Sequence, residues 1–291
     1  MAPKRVTFNA LMNAYSRQGN AREAGLILDM MENDDDMYPT TNDYNALLAA
    51  YARRGEAREA EKVLKRMVDR CSVELGPCEC APDVHSYGTL LEAWSRSNEP
   101  GRGGRAEAIL NELLSQSDSS DLQKPTIRTF SSAICAIVKS NEPHAIDRAR
   151  RIMRLAEQEG VEPDEYCHSV LLDAYASSKQ PGSAEEAENM LEKLEEDGLA
   201  NSVAYNTVIK AWKASGSDVA ANRAESILRK MEGRGVADPI SYCTVIAAYA
   251  NQGTVASARH AEEILIRMKD AGATPNTHTL NAGKNFVGYG P

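Results

Sequence analysis

Cys71, Cys78, Cys80 and His85 crowd into one stretch, CSVELGPCECAPDVH, and together offer the three thiolates and one imidazole that tetrahedral zinc accepts. The spacing is not the Cys-x-x-Cys pair of a standard zinc site, so reduced thiols and no metal are expected there. Gly101-Arg102-Gly103-Gly104, followed by Arg105, is glycine-rich enough to approach a phosphate. It lacks the Lys-Ser/Thr that completes a phosphate-binding loop and reads instead as a flexible turn between helices. His144 and His260 have no neighbouring nucleophile or carboxylate in a recurring arrangement. With no catalytic constellation visible, neither enzyme activity nor a cofactor is expected.

The chain is organised by a repeat. An aromatic-led apolar run opens at Phe8 (FNALMNAY), Tyr44 (YNALLAAY), Tyr87 (YGTLLEAW), Phe130 (FSSAICAI), Tyr205 (YNTVIKAW) and Tyr242 (YCTVIAAY). His168 (HSVLLDAY) takes the aromatic's place in one further copy, and a decayed eighth starts at Leu280. The copies lie about 39 residues apart, a period that means a solenoid. A second anchor is an Ala followed by apolar residues three, four and seven places on, as in Ala60/Val63/Leu64/Met67, Ala106/Ile109/Leu110/Leu113 and Ala224/Ile227/Leu228/Met231. Those offsets share one face of an α-helix. Each repeat is therefore two helices. Gly19, Gly55 and Gly216 part the first from the second, and Gly160, Gly198, Gly235 and Gly272 end the second. The fold class expected is all-α, an α-solenoid of about seven helix-turn-helix repeats wound into a right-handed superhelix with a concave face. The expected array is a single domain over 5–282, with repeats at 5–40, 41–83, 84–126, 127–164, 165–201, 202–238 and 239–276, a partial eighth from 277 and a frayed tail over 283–291.

Of the 291 residues 42% are hydrophobic, and no apolar run approaches the roughly 18 residues of a membrane span, so no membrane partner is expected. MAPKRVTF enters the first repeat at once, leaving no room for a transit peptide, and the chain reads as a fragment or truncated gene model. Six cysteines, three of them single in different repeats, make no disulfide framework and suit a reducing compartment. The formal net charge of −9 argues against a generic polyanion binder.

The alternation of an aromatic-Asn-(Thr or Ala)-Leu helix with an Ala-Glu-x-x-Leu-x-x-Met helix and a Gly-x-x-Pro-Asp connector, as in GVEPD at Gly160 to Asp164, resembles the pentatricopeptide repeat family. The resemblance covers residues 5 to 281, and the period is longer than the family's usual one. It implies sequence-selective binding of single-stranded RNA, one base per repeat, with two residues reading each base. The first readers would be Asn9, Asn45, Gly88, Ser131, Ser169, Asn206 and Cys243, and the connector readers Thr40, Asp83, Thr126, Asp164, Asn201, Asp238 and Asn276. By the family's code Asn45 with Asp83, and Asn206 with Asp238, resemble uracil readers. Ser169 with Asn201 resembles an adenine reader, Ser131 with Asp164 a guanine reader and Asn9 with Thr40 a pyrimidine reader. Gly88 with Thr126, and Cys243 with Asn276, match no common pair.

The resemblance implies two further columns. Val6, Asn42, His85, Arg128, Tyr166, Val203 and Ile240 would flank the base faces, a role that Asn42 suits poorly, and Arg17, Arg53, Arg96 and Lys139 would contact phosphate. Repeats five to seven have Ser177, Ala214 and Asn251 in that last column. The plainer reading of the polar column is helix capping, and of the basic column a solvated face. The function implied is a non-enzymatic RNA-binding adaptor of mitochondrion or plastid, acting in transcript stability, processing, editing or translation, with protein partners in RNA processing. Its rivals are a protein-binding helical scaffold, which the acidic balance favours, and the substrate-binding arm of a larger RNA-processing enzyme.

Overall fold

The computed structural model describes residues 5–34, 38–73, 79–117, 124–178 and 180–274. Fourteen helices and no strand occur among them: α1 (Arg5–Gln18), α2 (Ala21–Glu32), α3 (Thr41–Arg54), α4 (Ala57–Val73), α5 (Val84–Arg96), α6 (Arg102–Ser117), α7 (Ile127–Val138), α8 (Ala145–Gln158), α9 (Glu165–Ser177), α10 (Ser183–Glu196), α11 (Ser202–Ser215), α12 (Ala220–Gly233), α13 (Pro239–Gln252) and α14 (Val255–Asp270). Odd numbers are the first helices of repeats and even numbers the second, which is the α-solenoid class that the period requires. No helix among the described residues is long and apolar enough to cross a membrane. The decayed eighth copy lies outside the described residues.

The chain divides into two compact units, one ending at Cys167 and one beginning at His168, with the boundary inside α9. In the first unit α1, α3, α5 and α7 pack side by side, while α2, α4 and α6 each pack on their own first helix and on the next. In the second, α11 packs on α13, α12 packs on both α11 and α13, and α10 packs on α11. The aromatic that opens a first helix is the centre of its layer in five repeats, with Tyr44, Tyr87, Phe130, Tyr205 and Tyr242 all buried, while Phe8 and His168 are half-buried. The second anchor is buried as the offsets require at Ala60/Val63/Leu64/Met67, Ala106/Ile109/Leu110/Leu113 and Ala224/Ile227/Leu228/Met231. Each such Leu, Ile or Met contributes about 1.5–3 kcal/mol by leaving water.

Second helices are tied to each other by charge, with a constant polarity. Asp29 of α2 meets Arg66 of α4 at 2.6 Å, Glu61 of α4 meets Arg105 of α6, and Glu107 of α6 meets Arg148 of α8 at 2.7 Å. In the second unit Glu195 of α10 meets Lys230 of α12 at 3.1 Å, and Glu225 of α12 meets Arg267 of α14 at 2.8 Å. The acid always comes from the earlier repeat, so part of the negative charge is neutralised within this layer. The first-helix tyrosines join the same ladder: Tyr205 Oη donates to Glu195 at 2.6 Å, and Tyr44 Oη donates to Glu32, which also holds Arg66. Burial and the Glu195 carboxylate together push the Tyr205 hydroxyl up to about 12.

Two local expectations are corrected. The Gly101 to Gly104 stretch is no flexible turn, because α6 begins at Arg102 and the amides of Gly103 and Gly104 donate to Glu142 Oε1 at 3.1 and 3.4 Å. A Cβ on Gly103 would stand 2.7 Å from Ser140 Oγ, so the glycine is required by close approach. Burial alone would raise the Glu142 carboxyl, but Arg148 and those amides hold it below the usual carboxylate range. The second correction concerns the thiols. Cys71 is disulfide-bonded rather than reduced, whereas Cys80, whose sulfur lies 3.7 Å from that of Cys71, keeps its thiol, as do Cys135, Cys167 and Cys243. Cys78 lies outside the described residues. Burial pushes the Cys167 thiol up to about 12, which leaves it a protonated core residue at neutral pH.

Candidate nucleic-acid interface

Each first helix from α3 to α13 starts from a connector residue that caps it. Asp83 Oδ1 accepts from the Ser86 amide at 2.8 Å, Asp164 Oδ1 from that of Cys167 at 2.9 Å, Asn201 Oδ1 from that of Ala204 at 2.9 Å and Asp238 Oδ1 from that of Ser241 at 2.8 Å. Thr40 and Thr126 close capping boxes with Asp43 and Thr129. The plainer reading of the connector column is thus correct as far as it goes, and each cap contributes about 1 kcal/mol to its helix. Asn276 lies outside the described residues.

A capped start puts every repeat in the same register. Val6, Asn42, His85, Arg128, Tyr166, Val203 and Ile240 are each the second residue of a first helix, and all seven are exposed. Val6 is 77% exposed and Val203 and Ile240 are both 62% exposed, although β-branched side chains at a helix start gain nothing from water. Asn9, Asn45, Gly88, Ser131, Ser169, Asn206 and Cys243 are each the fifth residue, one turn on and on the same face. Of these Asn45, Gly88 and Ser131 are buried, Asn9, Asn206 and Cys243 half-buried and Ser169 exposed.

The fifth residue and the next repeat's cap meet in two places. Asn45 Nδ2 donates to Asp83 Oδ1 at 3.2 Å, and Asn206 Nδ2 donates to Asp238 Oδ2 at 2.9 Å. Residues 38 and 32 positions apart in sequence thereby stand side by side. Burial would raise the Asp83 carboxyl, but the Ser86 amide and hydroxyl and the Asn45 amide outweigh it and keep it ionised, hence acceptor-only. Ser86 Oγ also donates to Asn45 Oδ1 at 2.6 Å, whereas Asn206 Oδ1 is buried with no hydrogen-bond partner, and so is Asn9 Oδ1. Ser131 Oγ turns back to the Arg128 carbonyl at 3.1 Å.

Arg17, Arg53 and Arg96 lie in the last turns of α1, α3 and α5, and Lys139 caps the C-terminus of α7; all four are exposed. A cation at a helix C-terminus is favoured by the helix dipole, so the column has a structural cause as well. Arg53 Nη1 also donates to the Ser16 carbonyl. Ser177, Ala214 and Asn251 hold the equivalent positions in the second unit, exposed and uncharged.

The sequence profile of the PPR repeat matches residues 6–35 and 43–72, and that of the pentatricopeptide repeat domain matches residues 226–283. The chain belongs to the pentatricopeptide repeat family. No curated protein matches it. Among solved structures it is similar to the pentatricopeptide repeat protein PPR10 in complex with an 18-nt psaJ RNA element, at 22% identity and a TM-score of 0.70, over 100% of this chain and 40% of that one. It is also similar to PPR10 from maize, at 22% identity and a TM-score of 0.58, over 97% of this chain and 41% of that one. The likeness is one of fold, and this pentatricopeptide repeat chain spans about 40% of the length of those structures.

One groove residue escaped the sequence reading. Glu92, the ninth residue of α5, binds Arg96 Nη2 at 2.7 Å through one oxygen and Arg128 through the other. The four-residue spacing of Glu92 and Arg96 was a legible helix pair. The reach of Arg128 from the next pentatricopeptide repeat was not. Tyr166, in the same column as Arg128, sends its hydroxyl 3.5 Å to Cys135 Sγ, which anchors the ring from α7.

Proposed function

We propose that the chain binds single-stranded RNA sequence-selectively, one base to a repeat, as a non-enzymatic adaptor. The observation that carries this is the pairing of Asn45 with Asp83 and of Asn206 with Asp238, an amide and an acceptor held side by side at one register of separate repeats. An Asn amide and a carboxylate can match the donor and acceptor edge of a base, and exposed Val, Tyr and Ile at the second position suit its face. The RNA held by a solved relative of the same fold supports the ligand class. Uracil is then read at repeats two and six, adenine at repeat five, guanine at repeat four and a pyrimidine at repeat one. Family membership supports a place in mitochondrial or plastid transcript metabolism.

The test is a gel-shift panel of heptamers of the form pyrimidine-U-N-G-A-U-N in both polarities, the adenine setting the direction. The matched heptamer in one polarity should bind most tightly, and exchanging either uracil should weaken it. Equal binding of all heptamers would sink base reading. No binding of any, with capture of a protein partner through the acidic α10 face, would establish the scaffold instead.

A further inference from the structure

Repeat three departs from its neighbours in both columns at once. Its fifth residue is Gly88, which offers no side chain to a base edge. The cap paired with it, Thr126, faces its own helix, its hydroxyl 3.3 Å from that of Thr129. One turn beyond Gly88 stands Glu92, with each carboxylate oxygen taken by a different guanidinium. Glu92 is only 19% exposed, while Arg96 and Arg128 are 48% and 64% exposed. The acid is therefore the half-buried hinge of a fork whose two cationic heads face outward, with one net positive charge where Arg96 and Arg128 alone would give two. Arg128 occupies the position that holds Val, Tyr or Ile in four other repeats, so the base platform is replaced by a second guanidinium.

We propose that this Arg96–Glu92–Arg128 fork is a phosphodiester clamp that holds the RNA backbone at repeat three without reading the base there, with Glu92 as the residue that sets its strength. Guanidinium N–H groups in a fixed fork match phosphate oxygens. A carboxylate held between two such heads orients both and subtracts one unit of charge from what phosphate meets. The inference rests on the proposed RNA binding and predicts a property that base reading alone does not: sequence blindness at one nucleotide within a selective run.

The experiment uses the full chain and the matched heptamer, with an abasic nucleotide placed opposite repeat two, three or six in turn. Loss of the base opposite repeat two or six should weaken binding roughly tenfold, since a stacked and read base contributes on that order. Loss opposite repeat three should change it less than twofold. In Glu92→Gln the two guanidiniums no longer share a charge, so all heptamers should bind about fivefold more tightly at 0.1 M salt, with the slope of log affinity against log salt steeper by about 0.7. Arg96→Ala with Arg128→Ala should act oppositely and equally on every sequence. A weakening at the repeat-three abasic site equal to the others overturns the proposal, as does weaker binding by Glu92→Gln. Insensitivity to all three abasic sites would instead overturn base reading.

Discussion

Asn45 and Asn206 are the same residue at the same position of a first helix, each bonded to an Asp of the next repeat, yet their surroundings differ. At Asn45 the third residue of the next helix, Ser86, donates its hydroxyl to the amide oxygen, so both halves of the amide are satisfied by protein. At Asn206 the equivalent Ser241 turns to Asp238, at 2.6 Å from its carbonyl oxygen, and the amide oxygen is left without a partner. An unsatisfied buried acceptor costs about 1–3 kcal/mol, a cost that any donor reaching it relieves. The units differ at the ends of their first helices, where the first carries cations and the second uncharged residues. A buried amide oxygen without a hydrogen-bond partner occurs in both, at Asn9 and at Asn206.

The largest effect should come from removing the cations. Arg17→Ala with Arg53→Ala and Arg96→Ala should weaken binding of every RNA by about a hundredfold at 0.1 M salt and flatten the salt slope by about 2, because each phosphate contact contributes about 0.7. If binding measured across a salt series kept its slope, the column would be an ordinary solvated face and the contrast between the units would be lost.

Next in size is a pair of glycines that tests packing rather than binding. Gly55 and Gly216 both sit after a first helix with φ of +69° and +65°, but a Cβ would stand 2.9 Å from the Arg96 carbonyl at Gly55 and meet nothing within 4 Å at Gly216. Gly216→Ala should lose about 1 kcal/mol from the left-handed backbone alone, and Gly55→Ala about 3 kcal/mol, in urea unfolding. Equal losses would mean that the first unit relaxes around the methyl group.

Reader substitutions come third. Asn206→Thr should change the preferred base opposite repeat six by about tenfold in relative affinity with an unchanged salt slope, whereas Asn45→Thr should change preference opposite repeat two by less. Ser86→Ala, by releasing Asn45 Oδ1, should sharpen uracil preference at repeat two. If it does not, saturation of the amide is irrelevant to reading.

The smallest effect is on pH dependence. Burial would raise the Glu195 and Glu225 carboxyls, but Tyr205 and Lys230 hold the first below its usual range, and Tyr249 and Arg229 the second. Their contribution is complete above the unfolded Glu value of about 4.3 and is lost as pH falls through the depressed folded values. Tyr205 works in the opposite direction, its contribution complete below about 10 and lost as pH rises through about 12. Glu195→Gln should therefore flatten both limbs of the urea midpoint against pH, and an unaltered profile would mean that the ladder contributes little.

What the sequence determined by itself is whatever is decided within one or two helical turns. Apolar offsets of three, four and seven placed the buried stripe of each second helix, Asp83, Asn201 and Asp238 read as caps from their position before an apolar run, and Gly55 and Gly216 marked helix ends. The registers of all the proposed contact columns follow from those caps, since a capped start counts the residues of each helix from the same point. What the tertiary structure alone decided is which side chains from different repeats touch. Ala14 of α1 is exposed, because α1 has a first-helix neighbour only in α3 among the described residues. The glycines before Arg105 turned out to be amide donors to Glu142, and Glu92 turned out to hold a guanidinium from the next repeat. Such contacts depend on how closely one helix pair seats on another, to within an ångström. That seating is a sum over many buried atoms of both repeats, and no local spacing encodes it.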